Sequence, residues 1–119
     1  MFDHIGIRVR NLQASTAFYA QVLAPLGHVQ GYSDETVVGF GPPGAAQLWL
    51  HLSDQPAATG AHIAFRAADR AAVQRFYEAA LKAGGQDNGP PGPRPQYSEG
   101  YYAAFVIDPD GNNIEAMLS

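Results

Sequence analysis

The chain has 119 residues, 46% hydrophobic and 15% charged, with a formal net charge of −4. That balance suits one globular domain with a buried core, not a disordered chain. Seven scattered basic residues argue against nucleic-acid binding, which needs clustered Lys and Arg, and the absence of Cys removes disulfides, thiolate metal sites and Cys nucleophiles.

In chain order, Phe2–Val9 reads as a strand, apolar and rich in β-branched residues. Asn11 offers a helix cap, and Ala14, Ala17, Phe18, Val22 and Leu23 recur at helical spacing until Pro25 and Gly27 end the run. Val29–Tyr32, Thr36–Phe40 and Gln47–Leu52 follow as short strands. Ala61–Ala67 is a further strand. Asp69 caps a helix from Arg70 to Lys82, with Val73, Phe76, Tyr77, Ala80 and Leu81 expected on its buried side and Gly84-Gly85 as its stop. A polar, proline-rich stretch runs from Asp87 to Gly100. Tyr101–Ile107 and Asn113–Leu118 are strands joined by the turn Asp108-Pro109-Asp110-Gly111-Asn112. No apolar run approaches the roughly 18 residues of a membrane span, and no leader pattern opens the chain, so a cytoplasmic location is the default expectation.

The order β-α-β-β-β thus occurs twice. His4 corresponds to His62, Phe18-Tyr19 to Phe76-Tyr77, and Leu23 to Leu81. Towards the ends of the two halves the alignment shifts: Phe40 matches Val106, Pro43 matches Pro109 and Trp49 matches Glu115. The second half therefore carries extra residues between Gly84 and Gly100. Gly89–Pro95 is expected to be a surface loop, either a plain connection or part of a site.

The repeat gives His4 and His62 equivalent places at the starts of strands. Glu115 lies in the apolar run Ile114-Glu115-Ala116-Met117-Leu118, where a carboxylate is costly to bury unless paired or bound to metal. Two imidazoles and one carboxylate suit Fe(II), Zn, Mn, Co or Ni and leave coordination positions open. Trp49 cannot ligate a metal but can wall a substrate pocket. His51, two residues on, is a replacement ligand, an acid–base group or a surface residue. Tyr97, Tyr101 and Tyr102 cluster near the end of the extra segment, either to bond a substrate oxyanion or act as general acid, or to pack in a sheet or dimer contact. Arg94 is a candidate anion partner or a solvated side chain.

Asp3-His4-Ile5-Gly6, the Phe18-Tyr19 helix, Gly60-Ala61-His62-Ile63-Ala64-Phe65 and Asp108-Pro109-Asp110-Gly111-Asn112-Asn113-Ile114-Glu115 together resemble the vicinal oxygen chelate superfamily. That group includes glyoxalase I, extradiol dioxygenases, and fosfomycin and bleomycin resistance proteins. The resemblance spans essentially the whole chain. It implies an α+β fold of two tandem βαβββ modules, about 1–55 and 60–119, forming a cupped mixed sheet in one domain. It also implies one divalent metal (Fe, Mn, Zn, Ni or Co) held by His4, His62 and Glu115, a small oxygen-rich substrate and a homodimer. Glyoxalase-type members add a Glu or Gln where this chain has Trp49, a departure that counts against glyoxalase I activity. The expected function is a metal-dependent lyase, isomerase or dioxygenase with Glu115, His51 and Tyr101 in catalytic roles and Trp49, Arg94 and Tyr102 in the substrate pocket. The alternative is a metal-free, resistance-type protein that binds a drug or metabolite. The resemblance leaves open whether the site lies within one chain or is shared across a dimer.

Overall fold

The computed structural model describes all residues from 1 to 119. The first module comprises β1 (Ile5–Val9), α1 (Leu12–Leu23), a 3₁₀ turn (Ala24–Leu26), β2 (Val29–Ser33), β3 (Val37–Gly41) and β4 (Leu48–Leu52). The second comprises β5 (His62–Arg66), α2 (Arg70–Lys82), β6 (Gln86–Pro93), β7 (Tyr102–Ile107) and β8 (Asn113–Leu118). Each helix starts on a side-chain cap. Asn11 accepts the Ala14 N–H at 3.0 Å, and Asp69 accepts the Ala72 N–H at 2.7 Å. Such caps contribute about 1 kcal/mol each.

The modules build two four-stranded mixed sheets of identical topology, β1-β4-β3-β2 and β5-β8-β7-β6. In each, the first and last strands run parallel and the remaining neighbours antiparallel. No strand pairing joins the two sheets. Alternation turns Ile7, Val9, Val38, Phe40, Leu48 and Leu50 of the first sheet inward, and Tyr102, Ala104, Val106, Ile114 and Ala116 of the second. All of these join Phe18, Tyr19, Val22, Leu23, Val73, Phe76 and Ala80 of the helices in one continuous core. Fully burying a side chain such as Phe76 contributes about 1.5–3 kcal/mol. Because both sheets turn their helix-covered faces to this shared core, their other faces point away from it.

The modules are tied through their helices and the last turn. A Cβ on Gly85 would stand 2.8 Å from the Phe18 ring, so only glycine admits that ring against the end of α2. Tyr19 donates its hydroxyl to Asp108 at 2.6 Å. Asp108 also receives the Asp110 and Asn112 N–H groups and the Asn112 amide, which fixes the turn before β8. Burial, and then the charge of Asp108, raise the Tyr19 hydroxyl well above the usual tyrosine range, so it remains a donor. The linker is pinned as well: Ala58 donates its N–H to Arg8 and accepts from the Asn112 amide.

Several expectations need correction. The proline-rich segment is not a free loop, because most of it forms edge strand β6, with register shifts between Asp87 and Gly89 and between Gly89 and Gly92. An edge strand tolerates Pro, since the missing N–H faces no ladder partner. The extra length of the second half is shared out: β6 has eight residues to the five of β2, and the next connection spans 94–101 where the first module has 34–36. The first strand begins at Ile5, and Phe2 is exposed. In α1, Ser15 and Tyr19 are buried while Ala14 and Ala17 face outward. In α2, Ala72 is buried, Tyr77 is half-buried and Leu81 is exposed. Both helices must cover their own sheet and each other, which rotates their buried faces.

Candidate functional site

The open face of the second sheet gathers ionisable groups around Glu115. On β8, Ile114 and Ala116 enter the core, so Glu115 lies on the opposite face, yet it is only 2% exposed. Its neighbours in register are Ala64 on β5 and Phe105 on β7. His62, two residues before Ala64, shares that face. Its Nε2 lies 3.1 Å from Glu115 Oε1, and its Nδ1 lies 3.1 Å from the Asn113 carbonyl oxygen. The imidazole stacks on Phe105 at 6.2 Å. Tyr101, at the end of the long second-module connection, donates its hydroxyl to Glu115 Oε2. Burial, followed by the hydrogen bond and charge of Glu115, pushes the Tyr101 hydroxyl up to about 12, so it remains a protonated donor at neutral pH.

The proton count at His62 is informative. A carbonyl oxygen only accepts, so Nδ1 must carry a hydrogen. Nε2 then turns towards another acceptor, Glu115 Oε1. Nε2 and Oε1 at that separation can share a proton or hold a metal ion between them. The spacing is an ordinary hydrogen-bond length and also fits a metal ion, because ligands bound at about 2.1 Å to one ion stand about 3.0–3.4 Å apart. An Nδ1–H held by a backbone carbonyl is also the usual support for a ligating imidazole.

The open face of the first sheet is different. Trp49, at the place equivalent to Glu115, lies over Gly39, where a Cβ would come within 2.7 Å of the indole. Tyr32 packs against it at 5.8 Å, held by a hydrogen bond to Asp34 at 2.8 Å. His51 lies over Gly6. His4 precedes β1, exposed, with Nδ1 at 2.6 Å from Asp3 Oδ1, which leaves Nε2 as its free nitrogen.

Within one chain, no group of three His or carboxylate side chains lies close enough to hold a metal ion. His62, Glu115 and Tyr101 come together; Trp49 and His51 lie on the first sheet's open face, and His4, just before β1, borders the cavity at the seam between modules. Two residues expected in the substrate pocket, Tyr102 and Arg94, are engaged within the chain. Tyr102 faces the helix side, where Gln74 donates to its hydroxyl and the Arg70 guanidinium covers its ring. Arg94 donates to the carbonyls of Pro90, Gly92 and Pro93 and lies over Phe105, so its donors brace the bulged strand instead of awaiting an anion. A cavity of about 180 Å³ opens at the seam between modules, lined by Leu23, His28, Phe40, Ile63 and Phe65, without Glu115 or Tyr101. No helix is long and apolar enough to cross a membrane.

The model of the Glyoxalase/Bleomycin resistance protein/Dioxygenase superfamily matches residues 1–116. The chain belongs to that superfamily. It is similar in structure to a glyoxalase/bleomycin resistance protein from Albidiferax ferrireducens T118, with a TM-score of 0.85, 30% identity, and 98% of this chain and 97% of that chain covered. A glyoxalase-related enzyme from Fulvimarina pelagi shares the fold at a TM-score of 0.75 and 21% identity, covering 97% and 85%. So does the fosfomycin resistance protein FosX from Mesorhizobium loti, at 0.70 and 23%, covering 98% and 89%. A search of curated protein sequences gives no match. Membership makes the repeated βαβββ module the family's architecture. Sequence reading missed Tyr32, Phe105, Asp3 and Asn113. Alternation alone would have placed Phe105 beside Glu115, since the two strands are joined by a tight turn.

Proposed function

We propose that this superfamily member binds one divalent metal per site through His62 and Glu115, with the partner's His4 as third ligand in a homodimer, and acts on an oxygen-rich small molecule as a lyase, isomerase or dioxygenase. The observation that carries this reading is the meeting of His62 Nε2 and Glu115 Oε1 at 3.1 Å on the open face of the second sheet. His4 supports it, because a carboxylate on Nδ1 presents Nε2 outward as a ligand. The separation of the donors supports sharing: each chain brings His62 and Glu115 together and holds His4 elsewhere, and a two-fold axis that brings the partner's His4 to this pair would form two equivalent sites.

The bound metal would supply Lewis acidity towards a substrate oxygen and stabilise developing anionic charge. Around it, Glu115 and His62 hold position through Tyr101 and Asn113. The aromatic pair Trp49 and Tyr32 would exclude water and orient the apolar part of the substrate. His51 lies on that same face, within reach of an acid–base role. Metal analysis of purified wild type should show a bound divalent ion, lost in His62→Ala, Glu115→Ala and His4→Ala. Co-refolding His4→Ala with Glu115→Ala should restore part of the uptake, because one site of each mixed dimer is intact. Wild type that takes up no Mn, Fe, Co, Ni or Zn would sink this reading, and failure of the mixture would remove the shared site.

One observation favours a metal-free binding protein as the second reading. Both Glu115 oxygens already have partners in the chain, and the Trp49–Tyr32 surface needs no metal to stack a ligand. Saturable quenching of Trp49 by a ligand in metal-stripped protein would select this alternative.

A further inference from the structure

The second module spends its extra length on a braced connection that ends on Glu115. After β6, Arg94 donates its backbone N–H to the Tyr101 carbonyl, and Tyr101 donates its own to the Ser98 carbonyl. The Arg94 guanidinium fastens three carbonyls of β6 and its end. The Tyr97 ring meets the Tyr101 ring edge to face at 5.2 Å. The first module has only residues 34–36 at this place, and the ring that meets its last strand's Trp49 is Tyr32, from β2. The tyrosine is thus fixed from its backbone, from its ring and from its hydroxyl.

We infer that Tyr101 is a positioning residue for Glu115: by holding Oε2 it leaves Oε1, the oxygen that faces His62 Nε2, to take the cation, so that Glu115 binds through one oxygen. The inference rests on the metal reading above and adds the coordination mode of the carboxylate. A carboxylate free at both oxygens can rotate and chelate with two. One held at Oε2 by a committed donor keeps its free oxygen in place and leaves a further coordination position open for substrate. The longer connection of the second module is then a support for the site, not a lid over it. Arg94 belongs to that support, since its donors hold the strand from which Tyr101 departs.

The test is cobalt(II) titration of full-length wild type, Tyr101→Phe and Tyr97→Phe, followed by calorimetry and by the visible absorption bands, which report coordination geometry. Phenylalanine keeps the ring, and thermal unfolding checks that each variant is folded. Tyr101→Phe should lower cobalt affinity about 10- to 100-fold, the usual loss when an outer partner of a ligand is removed, and should alter the bands. Tyr97→Phe, which touches the ring but not Glu115, should match wild type. If wild type binds cobalt and Tyr101→Phe keeps both its affinity and its bands, Tyr101 merely packs and the inference is overturned while the metal reading survives. If wild type binds no cobalt, both fall together.

Discussion

The two modules repeat one backbone, and their open faces have diverged. On the second, a carboxylate is buried on the side of the sheet away from the core, flanked by an imidazole and a phenol. On the first, the equivalent place holds an indole lying on a glycine, with a tyrosine beside it. The first face offers apolar area and shape, and the second offers charge and directed lone pairs. A repeat fold can thus divide recognition from chemistry by changing a few side chains while both copies keep their core. The divergence follows strand alternation: the inward residues must fill a common core, and the outward ones are free to change.

The largest effect expected is at Glu115. Glu115→Ala should reduce metal uptake more than about 100-fold, beyond the loss of an outer partner, whereas Trp49→Ala should leave uptake unchanged and weaken only ligand binding. Equal losses from both would erase the division between faces. Tyr19→Phe tests whether the modules unfold as one body. Removing a buried hydrogen bond to a carboxylate should cost about 1.5–3 kcal/mol, within a single transition in denaturant. Two separated transitions would show the modules to be independent. Gly39→Ala should push the indole off the sheet. Because the clash is with the mobile end of a side chain, stability should fall by less than about 1 kcal/mol, while the emission of Trp49, the chain's one tryptophan, shifts. An unchanged spectrum would mean that the glycine does not hold the ring.

The smallest effect concerns Asp34. The Thr36 N–H first, then the Tyr32 hydroxyl, hold its carboxyl down at about 2 from an ordinary 3.8. A lowered carboxylate contributes stability above its ordinary range and loses it as pH falls through the folded value. Wild type should therefore lose thermal stability more steeply than Asp34→Asn between pH 4 and pH 2. The difference should be slight, since Asp34 is exposed. Tyr101 acts at the other end of the scale. Its raised value favours the folded state below pH 10 and loses that contribution as pH rises towards 12, a loss that Tyr101→Phe should abolish.

Much of this was legible in the residues. Asn11 and Asp69 announced the helix starts, and α2 and β8 run where the pattern put them. The matching of His4 with His62 and of Trp49 with Glu115 found the equivalent places on the two sheets. The β6 strand was hidden because proline and glycine read as loop, and only an edge position with bulges lets them pair. Arg94 and Tyr102 were misplaced for a similar reason. Nothing local tells an arginine that its donors will close on carbonyls one to four residues back, or a tyrosine which face of an edge-proximal strand is the core.

The sequence by itself determined the doubled βαβββ order, because periodicity, caps and turns are local properties of the chain, and its motifs carried the resemblance to the superfamily that named the candidate donors. Only the tertiary structure decided which donors meet. It set His62 and Tyr101 on Glu115 and held His4 apart from them, before β1. The physical reason is the shared core: both sheets bury their helix-covered faces against it, so their open faces point away from it and from each other's side chains.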